Sequence, residues 1–181
     1  LFVAGIVPGI IGGLGLMAIL LARAMGSAGV IVIEPDAAKR AAALQAGALA
    51  AFDPGQDGYM AQVRQAAGGA VWAIIDCVGS SQTVQAGIDM LTKGGQLVQI
   101  GLFGGHVDLP TPSMALRAIT YQGTYVGNLR ELQELMQLVK DKRLQPVPST
   151  CLPFGKAFTA LLALEEGKAV GRQILTPEGA C

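Results

Sequence analysis

The feature that most constrains this chain is a repeated alternation of short apolar runs with alanine-rich helical stretches. "GVIVIEP" (29 to 35) is rich in β-branched residues and closes on an acid and a proline, as a strand buried on both faces does. "DAAKRAAALQAGA" follows at helical period, with Asp36 placed to cap its start and Gly47 to stop it. "LAAF" (49 to 52) is a weak strand, "DGYMAQVRQAAGG" a short helix closed by a glycine pair, and "AVWAIIDCVG" (70 to 79) the next clear strand. "SSQTVQAGIDMLTKGG" opens on a serine cap and carries Val84, Ile88 and Leu91 on one stripe. "QLVQIG" (96 to 101) is the fifth strand. Crossovers of this near-minimal helical length return each strand to the same end of the sheet, so neighbours run parallel. The expected fold is α/β, a doubly wound, mostly parallel sheet with helices on both faces.

Beyond the fifth strand the pattern loosens. "LFGGHVDLPTPS" to "RAITYQGTYVG" is expected to return to the sheet as an edge strand, and "NLRELQELMQLVKDKRL" is an amphipathic helix with Leu132, Leu135, Met136 and Val139 on one stripe. "QPVPSTCLPF" is proline-rich and extended, and leads to a last helix, "GKAFTALLALEEGK", and a final strand, "RQILTP". Thirteen basic against thirteen acidic residues point away from nucleic acid and from an anionic membrane surface. Hydrophobic content of 51% with only 14% charged residues implies apolar surface that expects a partner. Cys77, Cys151 and Cys181 are scattered and there is no C-x-x-C, so with one histidine, His106, no zinc site of ordinary spacing can be assembled. The odd cysteine count also argues against a disulfide scaffold and fits a reducing cytoplasm.

In a doubly wound sheet, ligands bind beyond the carboxyl ends of the strands, so the first strand-to-helix turn is where to look. "PGIIGGLGLM" (8 to 17) has the glycines that let backbone N–H groups approach a pyrophosphate at a helix N-terminus. The pattern G-x-G-x-x-G fits in two ways: with Gly12 and Gly15 as second and third glycines, Ile10 stands in the first position; with Gly13 and Gly15 as first and second, Ala18 stands in the third. Glu34 ends the second strand 22 residues after Gly12, where an acid accepts from the adenosine ribose hydroxyls and repels a 2′-phosphate. A Rossmann-type domain that prefers NAD to NADP is the expectation, against a plain strand-end carboxylate as the bland reading of Glu34.

Three blocks, "GGLGLMAILLARAMGSAGVIVIEPDAAKRAAALQAGA", "IIDCVGSSQTVQAGIDMLTKGGQLVQIGLFGG" and "AITYQGTYVGNLRELQELMQLV", resemble the cofactor domain of the medium-chain dehydrogenase/reductase family, in its zinc-type alcohol dehydrogenase branch. The similarity runs from about Gly12 to Pro177. It implies NAD(H) binding in an enzyme that oxidises alcohols or reduces carbonyls. By the resemblance, Gly12, Gly13, Leu14 and Gly15 form the pyrophosphate turn, Glu34 is the ribose acid and Lys39 a second ribose contact. It assigns Val78 and Gly79 to the adenine and its ribose, Ile100, Gly101 and Leu102 to the nicotinamide, and Thr124, Tyr125 and Val126 to the carboxamide through backbone groups. Arg172 would reach a phosphate oxygen. Lys39 also reads as a solvated helix residue, Ile100 to Leu102 would be strand-end residues in any sheet, and His106 has no matching role.

The resemblance implies further that an N-terminal barrel-like domain carries the catalytic zinc, the substrate pocket and the proton relay; none of its motifs is present, and no catalytic residue or metal ligand is assigned here. The expected organisation is an atypical segment over residues 1–11, an NAD-binding domain over 12–150, and a C-terminal helix and strand over 151–181 that in relatives packs on the barrel-like domain. Pro8 and Gly9 interrupt the expected first strand near its end. The uncharged run from Leu1 to Ala22 also passes the length of roughly 20 residues needed for a membrane helix. Five glycines, a proline and the need for a first strand set that reading second. The expected activity belongs to a complete cytoplasmic enzyme, a homodimer through edge strands near Ala118 to Val126, and the isolated chain is expected to be inactive. The alternative is a non-catalytic nucleotide-sensing or interaction domain on the same fold.

Overall fold

The computed structural model describes residues 4–8, 12–142 and 144–177. Its elements, in chain order, are β1 (Ala4–Pro8), α1 (Gly13–Ala24), β2 (Gly29–Ile33), α2 (Ala37–Gln45), β3 (Ala50–Phe52), α3 (Tyr59–Ala66), β4 (Ala73–Asp76), α4 (Ser81–Met90) and β5 (Gln96–Gln99). They continue with α5 (Thr111–Arg117), β6 (Thr120–Gly123), α6 (Leu129–Lys142), β7 (Ser149–Pro153), α7 (Ala157–Glu165) and β8 (Arg172–Thr176). Six strands form one sheet in the order β3-β2-β1-β4-β5-β6, every pair parallel. The chain starts in the middle, winds outward to β3, then crosses to β4 and winds the other way. That reversal opens a crevice at the carboxyl ends of β1 and β4.

β2 explains why its sequence is an unbroken apolar run. Val30 and Val32 face one layer with Leu16 and Ile19 of α1 and Ala43 of α2. Ile31 and Ile33 face the other, with Val63 of α3, Ile74 of β4, Val84 and Ile88 of α4 and Leu97 of β5. A strand between two helical layers has no wet face, so alternation disappears. Each of the valine, leucine and isoleucine side chains contributes about 1.5–3 kcal/mol by leaving water.

The caps read from sequence are in place. Asp36 accepts from the Lys39 N–H at the start of α2, a bond worth about 1 kcal/mol. Ser80 and Thr83 form a reciprocal capping box on α4. Gly47, at φ +99, follows the end of α2. "TYQG" returns as β6, the parallel edge strand beside β5.

β1 ends on Pro8, the residue at which the sequence predicts an interruption, and Ala4 to Pro8 pair with Gly29 to Ile33 in register. The segment is thus the central strand, and a proline in the last position costs the ladder a single N–H. Among the described residues no helix is long and apolar enough to cross a membrane, and the uncharged run holds two separate elements, β1 and α1. Ile10, which stands at the first position of one overlay of the glycine pattern, and Cys181 lie outside the described residues.

β7 and β8 do not join the main sheet. They pair parallel with each other, in register from Ser149 with Arg172 to Pro153 with Thr176. Their unit is tied back to the sheet by a parallel bridge between Gly12 and Gly171. Cys77 is free and buried, whereas Cys151 is disulfide-bonded. Sequence separation carries no information about which thiols the fold brings together.

Candidate functional site

The ends of β1, β2, β4, β5 and β6, with the start of β8, build the site. The glycine turn sits between β1 and α1, with Gly12 as the N-cap of α1 and Gly13, Leu14 and Gly15 as its first turn. This start of α1 is in keeping with the first of the two overlays of the glycine pattern. A second glycine at the cap and a third in the first helical turn match Gly12 and Gly15; the alternative would put its first two glycines inside the helix. Gly15 is buried, as a residue that lets the helix approach the sheet must be.

Arg172 covers this turn. A Cβ on Gly13 would meet Arg172 Nε at 2.0 Å, so the absence of a side chain there is what seats the guanidinium over the start of α1. A cavity of about 200 Å³ opens beside it, lined by Gly12, Gly13, Leu14, Lys39, Gly167 and Gly171 among others. Backbone N–H groups of the first helical turn, the positive end of α1 and the Lys39 side chain meet at this space, with the Arg172 guanidinium lying against Gly13 beside it, which is chemistry for an anion.

A larger cavity of about 660 Å³ adjoins the end of β2. Glu34, Asp36, Lys39, Pro54, Val78 and Glu166 are among its walls. Glu34 is 2% exposed, and its Oε1 accepts the Asp36 N–H at 3.0 Å. Lys39 is buried rather than solvated, and its Nζ would lie 3.9 Å from a Cβ on Gly167, in the loop that follows α7. It lines both cavities, so one amine serves the acid end and the glycine turn.

The ends of β4 and β5 interlock. A Cβ on Gly79, which has φ +68, would strike the Gly101 carbonyl oxygen at 2.0 Å, and a Cβ on Gly101 would strike Val78 at 2.0 Å. Backbone bonds from Phe103 N–H to Val78 and from Gly104 N–H to Gly79, each 3.0 Å, continue that contact. Ile100 N–H and Gly101 N–H both donate to the Asp76 carbonyl. Asp76, which sequence reasoning passed over, organises this corner. It is fully buried; Oδ1 accepts from Val78 N–H at 2.8 Å and Gly79 N–H at 3.0 Å, and Oδ2 from Thr83 Oγ1 at 2.8 Å. An acid at a strand end, three residues before a glycine and a serine cap, was the available signal.

Thr124, Tyr125 and Val126 follow β6 at the same edge. Thr124 N–H is taken by the Gln99 carbonyl at 3.0 Å, so the backbone group Thr124 has to offer a ligand is its carbonyl. Val126 has φ +48, a left-handed backbone that a β-branched residue adopts only under constraint, and strain of that kind clusters at ligand sites. Tyr125, Val126 and Leu102 are exposed. His106 stays a loop residue: its N–H donates to Ser81 Oγ at 3.0 Å, beside a cavity of about 230 Å³ that Gln99 and Tyr121 also line. Burial, with the Asp76 carboxylate adding, pushes the Cys77 thiol up to about 11, so it is an inert neutral group under the turn. Among the described residues no group of three or more histidine, cysteine or acidic side chains could hold a metal ion.

A parallel sheet in this strand order, with a glycine turn at its first helix and a buried acid closing its second strand, defines a Rossmann-like dinucleotide-binding domain. The sequence profile of the zinc-binding dehydrogenases matches residues 13–141, and the chain belongs to that family. It is 31% identical over 173 residues to an NAD-dependent alcohol dehydrogenase of Saccharolobus solfataricus, covering 95% of this chain and 50% of the relative. It is 31% identical over 166 residues to a geraniol dehydrogenase of Castellaniella defragrans, covering 88% and 44%. The crystal structure of the alcohol dehydrogenase of Aeropyrum pernix superposes with a TM-score of 0.86 at 30% identity, covering 98% of this chain and 51% of that one. The chain spans about half the length of these relatives.

Proposed function

We propose that these residues are the NAD(H)-binding part of an alcohol dehydrogenase-like oxidoreductase of the cytoplasm. The observation that carries the reading is the meeting, at one pair of adjoining cavities, of the buried Glu34 carboxylate, the Lys39 amine and the Arg172-covered glycine turn. The fit is direct: the larger cavity has room for an adenosine against Glu34, and the smaller one offers cation and backbone N–H groups to a pyrophosphate. Val78 and Gly79 would flank the adenosine, while Ile100 to Leu102 and Thr124 to Val126 would hold the nicotinamide end. The bound nicotinamide supplies or takes the hydride exchanged with an alcohol or carbonyl. Charge at the carbonyl oxygen needs a Lewis acid or proton donor, and the family resemblance assigns that group to a zinc-bearing domain outside these 181 residues. By themselves they bind NAD(H) without turning it over.

The β6 edge, with exposed Tyr125 and Val126 beyond it, is the surface we assign to a homodimer. Calorimetric titration of the chain with NADH tests the reading. Micromolar affinity supports it; absence of binding at any reachable concentration would favour an interaction domain instead. Alcohol oxidation by the zinc-free chain would overturn the inactivity.

A further inference from the structure

Resting on the NAD(H) reading, a second element of cofactor choice lies behind the cavity wall. Arg40 stands six residues after Glu34, in α2. Its Nη1 donates to the Glu34 carbonyl and to the Pro35 carbonyl, each at 2.7 Å. The same nitrogen lies 3.2 Å from Asp53 Oδ2, with side chains only 20% and 25% exposed. Asp53 is itself fixed, because its Oδ1 accepts the Gly55 N–H at 2.8 Å. A guanidinium is therefore bonded to the very residue that bears the ribose acid, yet it is turned to the outside of that peptide. Glu34, Pro35, Asp36, Lys39 and Pro54 line the cavity; Arg40 does not.

A 2′-phosphate would bring about two negative charges to the hydroxyl that Glu34 receives, and accepting it takes an arginine at that point. The chain has such an arginine within one peptide and holds it away with two carbonyls and a carboxylate. We infer that Asp53 is a specificity-determining residue. It withholds Arg40 from the ribose end of the cavity, so that a cofactor lacking the 2′-phosphate is selected twice: by repulsion from Glu34 and by sequestration of the nearby guanidinium. Without the carboxylate, only the two neutral carbonyl bonds hold Arg40, and the strong charge-assisted partner on offer is the phosphate.

The test is fluorescence titration of the full chain with NADH and with NADPH, at one ionic strength, for the wild type, Asp53→Asn and Asp53→Asn/Arg40→Met. Asparagine keeps an oxygen for the Gly55 N–H and so keeps the loop. Asp53→Asn is expected to raise NADPH affinity about tenfold relative to NADH, the equivalent of one charge-assisted hydrogen bond, and the second substitution to abolish the gain. A parallel loss of both cofactors would mark a purely structural role and overturn the inference, as would a gain that survives Arg40→Met. Wild-type NADH binding with an unchanged ratio in Asp53→Asn would sink the inference alone. Binding of neither cofactor by the wild type would sink the NAD(H) reading with it.

Discussion

Arg172 and Gly13, from opposite ends of the chain, share one space: the guanidinium occupies the position that a side chain on Gly13 would fill, with Nε 2.0 Å from the Cβ such a residue would have. The glycine of the turn and the cation of the last strand thus form one device. The bridge between Gly12 and Gly171 and the bond from Arg172 N–H to the Pro148 carbonyl, 2.9 Å, fix its backbone.

Gly13→Ala is expected to displace the Arg172 side chain and to weaken NADH about tenfold, as Arg172→Ala does, with no further loss when the two are combined. The loss corresponds to one charge-assisted contact to a phosphate. Stability should change by less than about 1 kcal/mol, because the displaced group is the end of a flexible side chain and alanine suits a helix start. Titration and thermal melting check both parts; wild-type affinity in Gly13→Ala would refute the shared-space account.

Glu34→Ala removes the acid from the larger cavity. NADH affinity should fall about tenfold, the value of bonds from a carboxylate to a ribose hydroxyl, while NADPH loses less or gains. Parallel loss of the two cofactors would show that Glu34 holds the strand end and does not select.

Asp76→Ala leaves two N–H groups and a hydroxyl without their acceptor beneath a turn where Gly79 and Gly101 are in contact. A cost of about 3 kcal/mol or more is expected in urea unfolding. Asp76→Asn, which can still accept at one oxygen, should lose less. Equal stability of the alanine variant and the wild type would rule out the organising role.

Cys77 has a folded pKa raised from 9.0 to about 11 by burial and by Asp76. Between those values the folded chain binds the proton that the unfolded chain has released, so the stability contributed below pH 9.0 is lost as pH rises to about 11. Cys77→Ala should flatten that alkaline fall in melting temperature. Iodoacetamide at pH 8 should label Cys77 only in denaturant; rapid labelling of the native chain would contradict its burial.

Much of the fold was legible because periodicity reports burial. The run Val30 to Ile33 announced a strand covered on both sides, and Asp36 and Ser80 announced helix starts through bonds that span only three residues. Glu34 and Gly12 to Gly15 could be found because strand ends and turns sit at fixed distances along a chain of this topology. Asp76 escaped notice because a buried, saturated carboxylate and a solvated one look alike in sequence. The burial of Lys39 depends on the loop after α7, far away in the chain, and could not be anticipated from its own helix.

What the sequence determined by itself is local and periodic: the order of strands and helices, their caps, and the glycines and acid placed at the carboxyl ends. Those follow from forces acting between near neighbours and from the apolar pattern that assigns faces. Only the tertiary structure decided where in the glycine run α1 begins, that Arg172 lies on Gly13, and that Asp53 holds Arg40. These are contacts between segments that share no sequence neighbourhood, and they exist because the doubly wound sheet and the β7–β8 unit bring the ends of separate elements to one edge.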